Sequence, residues 1–299
     1  MKEKVLVIGG TGLVGSHFVE NCYDFKILSP NSNELNLQNE QSISSYLAEH
    51  NPDWVINLAA YTDVNSAENQ RGDQAGLCWQ INVDGVTNLL NNYKSNNFIQ
   101  ISTDMVFEGS IDNPGPYDEE SELPNDYKNL TWYGWTKNRA EKLVSDRGGT
   151  VVRIIYPVRA KFKNKLDYIR GPLVKISAGT MHPLFTDQQI SISFIDEVTE
   201  GLKTIITGGH HGIFHISSDT TTPYDLIYKT LEVLGENPDQ LRQSSISDFL
   251  KTNGPSYRYP TFGGLKSQKT EVELNLHFST WQTVIEKLVA SGLKLPIIN

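Results

Sequence analysis

A tyrosine and a lysine, Tyr133 and Lys137, stand four residues apart in the stretch TWYGWTK. At that spacing two side chains share one face of a helix, so a phenol and an ammonium could be aimed into one cleft. Ordinary helices carry the same pair on their outer face, and the pair alone decides nothing. A second constellation says more. IGGTGLVGS places Gly9, Gly12 and Gly15 in a G-x-x-G-x-x-G spacing, directly after an apolar run and at the opening of a helical one. Small residues there allow a tight turn, close approach of a pyrophosphate to the backbone, and tight packing of helix on strand. The helix N-terminus then offers free N–H groups and a partial positive charge to the phosphates. Gly9, Thr11, Gly12, Leu13, Val14 and Gly15 are therefore candidates for holding a dinucleotide. A third cluster, HHGIFH, brings His210, His211 and His215 close in sequence. Metal ligands usually come with carboxylates or cysteines nearby, and Gly208, Gly209 and Gly212 punctuate this stretch. It reads as a turn before a strand, with no metal expected.

These residues need elements to position them. KVLVIGG reads as a buried strand and TGLVGSHFVENC as a helix, followed by the strand FKILS, the helix NEQSISSYLAEH and the strand DWVINLAA. A long helical region around WQINVDGVTNLLNNYKS precedes the strand FIQIS, the helix around YGWTKNRAEKLVSD and the strand TVVRIIYP. Continuous apolar strands alternating with helices predict an α/β fold: a doubly wound parallel sheet, Rossmann-like, covered on both faces. After Pro157 the regularity breaks. The expected organisation is a dinucleotide-binding domain over 1–157, with later elements around 189–217 returning to it. A smaller, interleaved C-terminal lobe over 158–299 mainly binds substrate. Within it, TTPYDLIYKTLEVLG reads as a helix capped by Thr222 with Pro223 at its first position.

The chain has 299 residues, 38% of them hydrophobic and 20% charged, and a net charge of −9. That composition is of a soluble globular protein and argues against a whole-surface affinity for nucleic acid or anionic membrane. No apolar stretch approaches the roughly 20 residues that span a bilayer. Two cysteines, Cys22 and Cys78, form no C-x-x-C pair, so neither a disulfide framework nor a cysteine-based metal site is expected. The cytoplasm is the default location. The loop after the second strand, ILSPNSNEL, offers Ser29, Asn31 and Ser32 where an acid would favour NAD and an arginine NADP. Its hydroxyls could donate to a phosphate, which tilts the expectation slightly toward NADP(H), with NAD(H) still open.

Taken in order, GGTGLVG, NLAAYTDVNSAE, INVDG, ISTDMVFEG and YGWTK resemble the extended short-chain dehydrogenase/reductases, most closely the dTDP-4-dehydrorhamnose reductase branch. The resemblance runs from residue 4 to about 160 and continues more weakly to WQTVIEKL. It implies a catalytic set of Thr103, with Ser102 beside it, Tyr133 and Lys137. Tyr133 would donate a proton as hydride reaches a carbonyl carbon. Lys137 would hold the nicotinamide ribose and stabilise the tyrosinate, and Thr103 would hydrogen-bond the carbonyl oxygen. It further implies cofactor contacts from Leu58, Ala59, Ala60 and Tyr61, from Asn36 and Leu37 near the adenine, and from Tyr156 near the nicotinamide. Asn36 stands where the family usually has Asp. Asn82 matches a position that is more structural than catalytic.

Members of this superfamily that dehydrate nucleotide sugars carry Thr-Asp-Glu where this chain has TDM. Asp104 is kept, but Met105 replaces the base, and a thioether accepts no proton at neutral pH. Reduction of a nucleotide-sugar ketone is the favoured reading, with Asp104 and Met105 bordering the substrate. An epimerase, or a non-catalytic dinucleotide-binding subunit resembling the regulatory subunit of methionine adenosyltransferase, are the alternatives; a homodimer is left open. The C-terminal YRYPTFGGLK departs from the branch: Tyr259 separates Arg258 from Pro260, and Gly263 stands in place of a serine. Finally, Arg153, Arg159, Lys161, Lys163, Lys165 and Arg170 face one acid, Asp167. From this segment Arg159, Lys161, Lys163 and Lys165 are candidates for the substrate diphosphate, on a loop expected to order on binding.

Overall fold

The computed structural model describes residues 2–296. Its first part runs β1 (Lys4–Ile8), α1 (Leu13–Asn21), β2 (Lys26–Leu28), α2 (Glu40–His50), β3 (Trp54–Asn57), α3 (Val64–Glu68), α4 (Leu77–Trp79), α5 (Gly85–Asn92), β4 (Phe98–Thr103), α6 (Trp132–Ser145) and β5 (Thr150–Ile154). Then follow β6 (Pro157–Val158), α7 (Arg170–Ser177), β7 (Leu184–Phe185), β8 (Ser193–Phe194), α8 (Ile195–Gly208), β9 (Ile213–Ile216) and α9 (Pro223–Leu234). The chain closes with β10 (Gln243–Ser244), α10 (Ile246–Leu250), α11 (Gln268–Leu274) and α12 (Trp281–Ala290).

Six strands form one sheet in the order β2-β1-β3-β4-β5-β9. β1 pairs in parallel with both β2 and β3, and β3 with β4. The chain begins in the middle of the sheet, steps to β2 on one side and then to β3 on the other. The turn after β1 therefore emerges at the point where strand order reverses, where such sheets open a ligand crevice. β3, β4 and β5 are buried along their whole length, which is why they read as continuous apolar runs and not as alternating ones.

The chain divides into two compact units. The first holds residues up to 107, 122–153 and 198–214; the second holds 108–121, 154–197 and 215 onward. The expected return of elements around 189–217 to the first domain is narrower here, 198–214, and 108–121 falls with the second unit. Each unit has a core of its own. Leu6, Val55, Val86, Leu89, Phe98 and Val144 belong to the first, and Ile169, Ile192, Leu226, Ile227, Val284 and Ile285 to the second.

The region around WQINVDG is not one regular helix. Between α4 and α5, Gln80–Asp84 forms a π-helical turn, an insertion that hydrophobic spacing does not reveal and that tends to sit near functional residues. α9 begins as expected: the Thr222 hydroxyl accepts from the Asp225 N–H at 3.0 Å and Pro223 occupies the first turn.

Candidate functional site

The turn after β1 is as tight as its glycines imply. Gly9 has φ +85, and a Cβ there would lie 2.7 Å from the Ala59 nitrogen. A Cβ on Gly15 would meet the Gly9 carbonyl oxygen at 2.3 Å, so neither position admits a side chain without moving backbone. Gly12 caps α1 without a side-chain bond, leaving the first N–H groups of the helix beside the turn. Thr11 is exposed and Leu13 and Val14 are half-buried at that helix start. Leu58 donates to the Ile8 carbonyl at 2.9 Å and Ala59 to Asn57 Oδ1 at 3.2 Å, which fixes the end of β3 against the glycine turn.

The loop after β2 carries a residue that the sequence reading passed over. Ser29 Oγ faces Gly10, where a Cβ would meet it at 2.1 Å. Asn31, however, spends its side-chain oxygen on the Asn33 and Glu34 N–H groups, and its own N–H donates to the Glu34 carboxylate at 2.8 Å. Glu34 thus puts a negative charge in the loop beside Asn31. Asn36 likewise accepts from the Gln38 N–H at 2.9 Å, and Leu37 is buried against Gly85 at the start of α5.

Thr103, Tyr133 and Lys137 all lie in the first unit, where β4 ends. Thr103 Oγ1 donates to Asp104 Oδ1 at 3.1 Å and accepts from the Met105 N–H at 3.3 Å. α6 begins with Thr131 as its cap, whose hydroxyl accepts from the Gly134 N–H at 2.9 Å. A Glu68 carboxylate oxygen accepts from the Trp132 N–H at the same terminus. Gly134 brings the helix onto the turn after β4, since a Cβ there would lie 2.1 Å from the Met105 carbonyl oxygen. One turn further on, Lys137 is buried and its Nζ donates to the Ile101 carbonyl at 2.6 Å. Ser102 is buried between these residues, and its hydroxyl has no hydrogen-bond partner.

Burial pushes the Lys137 amine down to about 8, against which the Glu141 carboxylate acts in the opposite direction. Burial drives the Tyr133 phenol well above its ordinary value, and the Asp104 carboxylate and Cys78 thiol add to that rise. Tyr133 is therefore a firmly protonated phenol at neutral pH. Asn82, assigned a structural part from the sequence, sits on the π turn. It accepts from the Tyr61 N–H at 2.8 Å and donates to the Tyr61 carbonyl at 3.2 Å. The same amide nitrogen donates to Thr136 Oγ1 at 2.9 Å, tying the end of β3, with Ala60 and Tyr61, to α6.

The second unit holds the remaining candidates. Tyr156 has φ +39, rare for a residue with a side chain, and its ring stacks on Tyr168 with centroids 4.0 Å apart. The basic segment is less basic than its composition. Arg153 is buried in the first unit in a two-point bond to Glu141, with Nη2 2.7 Å from Oε2. Arg170 is buried against Asp167 at 2.6 Å and donates to the Phe162 and Lys165 carbonyls. Both cations serve the scaffold. Arg159 lies over the Phe162 ring at 5.4 Å, and the Lys161 amine lies over Gly292. Lys163 and Lys165 are exposed. The divergent YPTFGG stretch is stitched by backbone bonds: Thr261 and Phe262 both donate to the Gly109 carbonyl at 2.9 Å, and Gly263 to that of Gln189 at 3.0 Å.

The three histidine rings go separate ways. His210 packs near Phe214, His211 stacks on Trp54 at 5.7 Å, and the His215 ring bonds the Lys266 carbonyl. Among the described residues no helix is long and apolar enough to cross a membrane.

The switch-point glycine turn and the doubly wound sheet define a protein of the dinucleotide-binding α/β class. A model of the RmlD substrate binding domain family matches residues 2–293, and the chain belongs to that family. It is 26% identical over 300 residues to a dTDP-4-dehydrorhamnose reductase of Mycolicibacterium smegmatis, covering 97% of this chain and 86% of the relative. The crystal structure of a dTDP-4-dehydrorhamnose reductase from Bacillus anthracis, in complex with NADP, has the same fold, with a TM-score of 0.81 at 21% identity. That match covers 97% of this chain and all of the other. A UDP-glucose 4-epimerase of Thermotoga maritima, solved with UDP-glucose, shares the fold too, with a TM-score of 0.77 at 17% identity over 96% of this chain and 97% of the other.

Proposed function

We propose that the chain is an NADPH-dependent reductase of a nucleotide-sugar ketone, of the dTDP-4-dehydrorhamnose kind. The observation that supports the reading is that α6 lies on the end of β4, with Lys137 bonded to the Ile101 carbonyl and Gly134, next to Tyr133, on the Met105 carbonyl two residues past Thr103, in the unit that also holds the glycine turn. The residues fit a dinucleotide. A side chain at Gly9 or Gly15 would fill the cradle, the start of α1 has free N–H groups for phosphate, and the buried Ser102 hydroxyl lacks a partner. When bound, reduced nicotinamide supplies a hydride.

In this reading Thr103 orients the substrate carbonyl by a hydrogen bond to its oxygen. The phenol of Tyr133 holds a proton up to high pH and delivers it to that oxygen. Lys137, charged below about 8, steadies the tyrosinate left behind and holds the nicotinamide ribose. Without substrate the Thr103 hydroxyl proton points to Asp104 Oδ1 at 3.1 Å, and it turns from there to the carbonyl oxygen when substrate binds. Met105 offers no base, which leaves reduction favoured over dehydration. Arg159, Lys161, Lys163 and Lys165 remain candidates for the substrate diphosphate, and the cytoplasm the proposed location.

The test is to mix purified protein, NADPH and dTDP-4-dehydrorhamnose, and to follow both reduced-nicotinamide absorbance and product mass. Reduction consumes NADPH and adds two hydrogens to the sugar. A product of unchanged mass without net NADPH use would identify an epimerase. No turnover of nucleotide-sugar ketones, with dinucleotide still bound, would leave the regulatory reading.

A further inference from the structure

Tyr133 occupies an insecure place for a residue that must aim a proton. It is the second residue of α6, and the first N–H groups of a helix have no partner within it. Such ends fray unless something outside holds them. Two side chains hold this one. The local one is Thr131, whose hydroxyl accepts from the Gly134 N–H at 2.9 Å. The remote one is Glu68, 64 positions earlier at the end of α3, whose carboxylate accepts from the Trp132 N–H. The two held N–H groups flank Tyr133 in sequence. Lys137, one turn further on, has an anchor of its own in the Ile101 carbonyl.

Glu68 is itself held. Its Oε2 lies 3.3 Å from Arg71 Nη1, and the same nitrogen donates to the Leu130 carbonyl at 2.9 Å. Arg71 Nη2 donates to the Tyr127 and Lys128 carbonyls. The ion pair thus grips the backbone on both sides of Thr131: the cation takes the carbonyl before it and the anion the N–H after it. Exposed pairs of this kind are worth little, but the Glu68 side chain is only 8% exposed, and a bond from an N–H to a carboxylate is stronger than one to a neutral acceptor. α3 is anchored in turn. Asp63 caps it by accepting from the Ser66 N–H at 2.9 Å, and Ala67 is buried in one cluster with Trp132, against which Tyr61 and Tyr133 pack. We propose that Glu68 is a positioning residue for the reduction. Backed by Arg71, it fixes the start of α6 and so the direction of the Tyr133 hydroxyl, and it acts only through that residue. The proposal rests on the reductase reading above.

The experiment is single-turnover reduction of dTDP-4-dehydrorhamnose by the NADPH-loaded full chain, with hydrogen–deuterium exchange of the segment 127–137 followed in the same proteins. Wild type, Glu68→Ala, Glu68→Gln, Tyr133→Phe and the Glu68→Ala, Tyr133→Phe double variant are compared. Glu68→Ala should slow turnover by roughly 10-fold or more while leaving the NADPH dissociation constant within about twofold. It should also speed exchange at the start of α6. Glu68→Gln keeps an acceptor for the Trp132 N–H and should recover most of the rate. In the Tyr133→Phe background the alanine change should cost less than about twofold, because no phenol is left to aim. A general loss of stability would slow both backgrounds alike. Equal losses in the two backgrounds, a glutamine variant no better than alanine, or unchanged exchange at the start of α6 would each overturn the proposal. A wild type that reduces no nucleotide-sugar ketone overturns the reductase reading instead, and exchange still decides whether Glu68 holds α6.

Discussion

The end of β4 and the segment after β5 both looked chemically rich in sequence, and the structure treats them differently. At the end of β4 the reactive groups are buried and held: Lys137 on the Ile101 carbonyl, Thr103 on Asp104, and α6 pressed onto Met105 at Gly134. After β5 the charges divide. Arg170 turns inward to carry its own loop and Arg153 is locked to Glu141, while Lys163 and Lys165 stand in solvent. A spacing on a helix commits side chains to a place, whereas a count of charges in a loop does not. Arginine, with a rigid fork of donors, is the cation most readily diverted to fixing backbone.

The largest effect is expected at Gly134. Gly134→Val should push α6 off the Met105 carbonyl, costing about 1–3 kcal/mol of stability and reducing turnover by roughly 10²-fold, as misplacement of reacting groups does. Near-normal activity with an unchanged melting temperature would show that the contact does not position Tyr133. Next comes pH. Lys137 is charged below about 8 and neutral above it, so kcat/KM should fall as pH rises through that value. The limb should move upward in Lys137→Arg, and a profile flat to pH 10 would rule out a role for the charge. Because the folded value lies below the unfolded one, this lysine also costs stability at lower pH. That cost should fade as pH climbs from about 8 toward the ordinary lysine value.

A smaller effect is expected at Glu34, which holds the Asn31 N–H in the loop after β2. Removing its charge in Glu34→Ala should raise the preference for NADPH over NADH about three- to tenfold, since a carboxylate near the adenosine ribose opposes a 2′-phosphate. Fluorescence titration of both cofactors reads this directly, and an unchanged ratio would place Glu34 away from that ribose. The smallest change is expected from the basic loop. Neutralising Arg159, Lys161, Lys163 and Lys165 together should raise KM several-fold at low ionic strength, with the difference shrinking in salt. A KM unaffected at low salt would leave these cations as a solvated surface.

The sheet was legible because its strands are buried on both faces and its glycine turn has a steric reason at Gly9 and Gly15. The candidate site was legible in outline because Tyr133 and Lys137 lie one turn apart on a helix. Gly134 as the contact with Met105, Glu68 at the N-terminus of α6, and Asn82 bridging Tyr61 and Thr136 were not. Each joins residues more than twenty positions apart, and no local pattern encodes such a contact. The exchange of 108–121 into the second unit was hidden for the same reason. Its backbone partners, among them Phe262 for Gly115 and Gly264 for Tyr117, lie near the other end of the chain.

In the proposed reaction Tyr133 delivers the proton to the substrate oxygen. Single-turnover reduction of dTDP-4-dehydrorhamnose by NADPH-loaded protein tests it most directly, comparing wild type with Tyr133→Phe. Loss of the phenol should slow NADPH oxidation by roughly 10²-fold or more while leaving the NADPH dissociation constant within about twofold. A Tyr133→Phe protein that oxidises NADPH at the wild-type rate would contradict the account.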